Sequence, residues 1–130
     1  MDGRYAAIAA PLRNYFSEAA LIRERIRVEA LWFEQLTAPR LRLLAGALPP
    51  AVLERTASLA RDPGPDDAEA VKTIDQRINH DVKAVEYFLR DQLAAAGAAG
   101  AALELVHFGC TSEDINNLCY ARLLKQARVE

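Results

Sequence analysis

The sequence predicts an all-α domain. Three observations support this: apolar residues recur at helical spacing in several long stretches, proline and glycine fall between those stretches, and no run alternates apolar and polar residues with the period of two that a half-buried strand requires. At 130 residues the chain is expected to form one domain with a real core.

Residues 1–11 read as irregular, with Arg4 and Tyr5 followed by a small apolar stretch and Pro11. Ser17 is placed to cap a helix running to about Thr37. Ile22, Ile26, Ala30, Phe33 and Leu36 form its apolar face, and Leu21, Val28 and Trp32 widen the arc. Arg23, Glu24, Arg27 and Glu34 are expected largely outside it, so the helix reads as a packed core element. Pro39 ends it. Pro50 suits the first turn of a second helix reaching about Ala60. The turn from Asp62 to Asp67 precedes a third helix over Ala68 to Gln76, capped by Asp66 or Asp67.

Asn79 reads as the N-cap of the next helix, with His80 and Asp81 in its first turn. Val82, Val85, Leu89 and Leu93 form its buried stripe, and the helix ends near Ala94. His80 points away from that stripe. Ala94 to Ala102 is an Ala/Gly tract, expected to be a loop or a frayed helix end.

The stretch from Val106 to Asn117, VHFGCTSEDINN, is the most informative. A short apolar approach ends at Gly109 and Cys110, and a helix starts at Thr111 or Ser112. Thr111 with Asp114 is a near match to the capping box, with Asp in place of Glu. Such a helix start offers backbone N–H groups beside two hydroxyls, which suits a carboxylate or phosphate. We expect it to face a common cleft with His80 and His107. The last helix carries apolar residues on most sides, as an interior or intersubunit helix does.

The composition excludes several classes. A net charge of −2 gives no general attraction to nucleic acid or to an anionic membrane. The sequence contains no apolar run long enough to span a bilayer and no signal peptide, so the cytoplasm is the expected location. Cys110 and Cys119 lack metal-type spacing and read as reduced core thiols. No metal site is expected.

VHFGCTSEDINN closely resembles a segment of the adenylosuccinate lyase family, within the fumarase/aspartase superfamily. DGRY at Asp2 to Tyr5 and INHDVKAVEYFL at Ile78 to Leu89 agree with the same family in the same order. Phe16 to Leu36 resembles the family's first long helix.

The resemblance implies a β-elimination that splits adenylosuccinate to AMP and fumarate, and the succinyl-carboxamide ribotide to its aminoimidazole nucleotide. It implies that Arg4 and Tyr5 contact the nucleotide phosphate, with His107 a further candidate. Asn79, His80 and Asp81 would line the site near the succinyl and purine groups, with His80 in a supporting role. Thr111 and Ser112 would hold a substrate carboxylate. Family members use no metal or organic cofactor, and their sites are assembled from three subunits of a homotetramer around a long helical bundle.

The family's general-acid histidine and its serine loop have no counterpart here, since nothing resembles GSSxMPxKxNP. The catalytic acid and base are therefore expected outside these 130 residues, and the chain alone is expected to be inactive. Residues 1–110 would be an N-terminal helical domain, and 111–130 the start of the central bundle helix. Two alternatives stay open: another lyase of the superfamily, such as argininosuccinate lyase, and a non-catalytic helical interaction module.

Overall fold

The computed structural model describes residues 3–41, 43–44 and 46–129. Asp2 of the DGRY stretch and Glu130 lie outside them. Among the described residues there are six α-helices, two 3₁₀ segments and no strand. The α-helices are α1 (Arg13–Phe16), α2 (Glu18–Thr37), α3 (Pro50–Arg61), α4 (Pro65–Ile78), α5 (Asp81–Ala95) and α6 (Ser112–Ala127). None is long and apolar enough to cross a membrane.

The longest helix, α2, organises the others. Ser17 caps it, its hydroxyl accepting from the Ala20 N–H at 3.1 Å. Its apolar face, Ile22, Ile26, Ala30, Phe33 and Leu36, is buried. That face packs with Val52 and Leu59 of α3, Val71 and Ile74 of α4, and Val85, Leu89 and Leu93 of α5. A second, smaller apolar cluster joins Val28 of α2 to Val82 of α5 and to Ile115 and Cys119 of α6. Thus α2 is buried on two faces, and α6 docks on the second.

Several sequence expectations are corrected. Helix α4 begins at Pro65 rather than Ala68, because the Asp67 carboxylate caps the Gly64 N–H at 2.8 Å and proline needs no N–H partner at the first turn. It also runs on to Ile78, so Asn79 closes α4 in the left-handed conformation (φ 53°) instead of opening α5. Asparagine is one of the few residues that adopt this conformation readily. The N-cap of α5 is His80.

The Ala/Gly tract is not all loop. A 3₁₀ segment spans Gly100–Leu105, and Ala98 and Ala102 are buried, because small side chains let the backbone approach the core. Glu24, expected outside the core face, is 1% exposed, with its carboxylate taken by Arg27 and Arg122. Trp32 is half-exposed rather than enclosed. The thiol expectation holds for Cys119, which is buried and pushed up to about 12 by desolvation, whereas Cys110 is only half-buried. Both are free. Helix α6 buries Ile115, Cys119 and Leu123 but leaves Leu118, Tyr120 and Leu124 exposed.

Candidate functional site

The VHFGCTSEDINN segment reaches its helix through two left-handed residues, His107 (φ 59°) and Gly109 (φ 74°). Glycine adopts such a φ without steric cost, whereas for histidine it is uncommon. Contacts from α2 hold the bend. The Trp32 indole N–H donates to the Phe108 carbonyl at 2.9 Å. The His107 Nδ1–H donates to Oε1 of Glu29 at 2.5 Å, and the Glu29 side chain is fully buried.

Thr111 then caps α6. The Asp114 carboxylate accepts from both the Thr111 N–H (2.7 Å) and its hydroxyl (2.9 Å), so the reciprocal arm of the expected capping box forms with Asp in place of Glu. The Thr111 N–H, with its hydroxyl next, holds the Asp114 carboxyl below its ordinary 3.8. Ser112 is half-buried in the first turn. That turn offers backbone N–H groups, while Glu113 and Asp114 place negative charge beside them.

At the start of α5, the exposed His80 accepts the Lys83 N–H on Nδ1 at 3.2 Å. An accepting Nδ1 carries no proton, so the neutral ring holds its proton on Nε2. The cap therefore orients His80, leaving Nε2–H as its donor. Asp81 has a different partner. Its Oδ1 accepts the Val82 N–H at 2.8 Å, and its Oδ2 meets Arg25 of α2 at 2.7 Å. Burial works against the charge of Asp81, but the Val82 N–H and Arg25 outweigh it and hold the carboxyl below 3.8. Arg25 is 5% exposed, and its Nε also donates to Asn116 Oδ1 at 2.9 Å. One buried guanidinium thus ties the start of α5 to the first turns of α6.

The two histidines have separate partners, His80 the Lys83 N–H and His107 the Glu29 carboxylate. Lys83 and Glu86 follow His80 along α5 and pair at 2.8 Å, and their charges reach His107, as does that of Asp114. Each of His80 and Thr111 lies at the start of its own helix, and among the described residues no hydrogen bond joins them. Arg4 and Tyr5 are exposed in the N-terminal turns.

The Glu29 hydrogen bond, assisted by its charge and only partly offset by burial, raises the His107 pKa above 6.5. A raised folded-state pKa gives stability that is fully present below the unfolded value near 6.5 and is lost as pH rises through the folded value. The denaturation midpoint should therefore fall across that alkaline window, and Glu29→Gln should flatten the dependence, as urea titrations at successive pH values would show.

Sequence reasoning placed Val28 and Trp32 on a widened apolar arc of α2 but missed Arg25 and Glu29 beside them. Arg25, Val28, Glu29 and Trp32 recur at helical spacing, and each contacts the candidate motifs. The available signal was three polar-tipped side chains aligned on one helix, a pattern that a surface helix shows equally well.

No protein-family model matches the chain. Among curated proteins it is 41% identical over 130 residues to the adenylosuccinate lyase of Escherichia coli K12, which covers all of this chain and 28% of that protein. It is 41% identical over 127 residues to the enzyme of the same name from Legionella pneumophila strain Corby, covering 98% of this chain and 28% of that protein. It is 41% identical over 128 residues to that of Vibrio cholerae, with the same two shares. The chain is thus similar along nearly all of its length to proteins named adenylosuccinate lyase, of whose length it spans about 28%.

Proposed function

We propose that this chain is the N-terminal portion of a lyase that splits adenylosuccinate to AMP and fumarate, and the succinyl-carboxamide ribotide to its aminoimidazole nucleotide, by β-elimination. The supporting observation is the whole-length likeness to proteins named adenylosuccinate lyase. Residues 1–110 act as an N-terminal helical domain, and α6 begins a longer bundle helix. The working unit is a cytoplasmic homotetramer that needs no cofactor.

In this reading the chain binds and orients substrate, and the general acid and base come from elsewhere in the assembly. Arg4 and Tyr5 hold the nucleotide phosphate with His107, Thr111 and Ser112 receive a carboxylate, and Asn79, His80 and Asp81 form the wall near the succinyl and purine groups. The oriented Nε2–H of His80 suits a neutral donor to a substrate oxygen. Asp81 acts through Arg25, which fixes the α5 start against α6.

The test is fumarate release from adenylosuccinate by the full-length protein carrying this chain, with argininosuccinate as the competing substrate. Release from argininosuccinate alone would overturn the proposal. In the same assay Arg4→Lys should weaken nucleotide binding by about 1.5–3 kcal/mol, because lysine lacks the bidentate fork. Unchanged affinity and rate would remove Arg4 from the site.

A further inference from the structure

The Glu29–His107 pair has no role in the reading above beyond its contact. The Glu29 side chain is fully buried, yet its Oε2 has no hydrogen-bond partner among the described residues. Its Oε1 is bonded to His107. A buried carboxylate is costly unless a partner offsets its charge. The nearby Lys83 is engaged with Glu86, so His107 is the group placed to do this. The His107 side chain retains 18% exposure, and its backbone sits in the left-handed region between the core and the α6 start.

We propose that Glu29 is a positioning residue for substrate binding: it fixes the His107 ring through Nδ1–H and keeps it cationic, so that Nε2–H is presented as a charged donor to the anionic end of the ligand. This deepens the proposed function and rests on it, since it takes that ligand to carry a phosphate.

The chemistry favours a carboxylate over a neutral acceptor at position 29. A carboxylate stabilises imidazolium, whereas an amide or carbonyl fixes only the tautomer. Other charges face the ring from each side. Glu86 on α5 reinforces the cation and Lys83 opposes it, while Asp114 at the α6 start feels the ring's charge. Cys110 within the motif is held as a thiol, first by burial and then by the Glu29 charge, and adds none of its own at neutral pH. The direct, desolvated contact with Glu29 is the dominant influence. Anion affinity should therefore fall as pH rises through the raised His107 pKa.

The test combines two readouts on the full-length protein carrying this chain. With ¹⁵N-histidine labelling, the His107 signals are assigned by their loss in His107→Gln. The wild-type ring should stay doubly protonated above pH 6.5, and Glu29→Gln should bring its titration down. Wild-type titration at or below 6.5, which needs no variant, overturns the proposal, as does an unmoved titration in Glu29→Gln.

The second readout is binding of inorganic phosphate. Glu29→Gln and His107→Gln should each weaken it about tenfold or more, and the double variant should be no weaker than His107→Gln alone, because the two residues act as one unit. A lowered titration with unchanged phosphate affinity, or fully additive losses, overturns the positioning role. If wild type binds phosphate normally but releases no fumarate from adenylosuccinate, the proposed function fails while the positioning role stands.

Discussion

The isolated 130-residue chain should release no measurable fumarate from adenylosuccinate. A β-elimination of this kind needs a base for the Cβ proton and an acid for the departing nitrogen, and each such group contributes about 10²–10⁴-fold. The chain holds two histidines, and both have assigned positions. His107 donates to the buried Glu29, and His80 caps α5 through Nδ1. The serine loop that the proposed function calls for has no counterpart in the sequence, where nothing resembles GSSxMPxKxNP. Groups that act as a catalytic unit lose most of their effect when any member is missing, so binding residues alone should not sustain turnover. The check is a fumarate assay on the purified chain beside the full-length protein. Turnover in the usual enzymatic range of about 1–10³ s⁻¹ would place the chemistry within these residues and contradict the assignment.

Phe33→Ala should destabilise the domain by about 3–5 kcal/mol, the cost of removing a buried ring whose cavity only partly collapses. Phe33 is 1% exposed, on the face of α2 that meets α3, α4 and α5. Against a total stability of about 5–15 kcal/mol, that loss should leave a marginal fold. The adjacent residue provides the contrast. Trp32 is 37% exposed, and Trp32→Phe removes one hydrogen bond to Phe108, for about 1 kcal/mol. Urea unfolding followed by circular dichroism suits both variants, since Trp32 is the sole tryptophan and its loss removes the fluorescence signal. Equal midpoints for the two variants would show that the core lies elsewhere.

The helices were legible because their determinants are local. The apolar spacing of α2 and α5 and the prolines at 39 and 50 mark where helices run and stop, whereas Pro65 read as part of a turn although it opens α4. The start of α6 was legible for the same reason, since Thr111 and Asp114 meet across three residues. The boundary at Asn79 and His80 was misjudged because both residues cap helices. What decided it was the continuation of α4 to Ile78, with Ile74 in the core.

The support for the candidate site was not legible. Arg25 finds Asn116, Glu29 finds His107 and Trp32 finds Phe108 across 91, 78 and 76 residues of chain. A charged residue on a helix reads as solvated until its distant partner is known. Glu24 shows the same effect, enclosed with Arg122 from the far end of the chain. The 3₁₀ segment escaped notice because alanine and glycine carry little periodic signal, although Ala98 and Ala102 pack into the core.

The central claim is that the second face of α2 holds the motif segment in place. Amide hydrogen exchange compares its segments directly, because local opening is governed by the contacts that hold each one. In the Arg25→Met, Trp32→Phe double variant, protection across residues 106–117 and at the start of α5 should drop, while α3 and the buried face of α4 keep wild-type protection. Unchanged protection of 106–117, or a uniform loss through every helix, would contradict the claim.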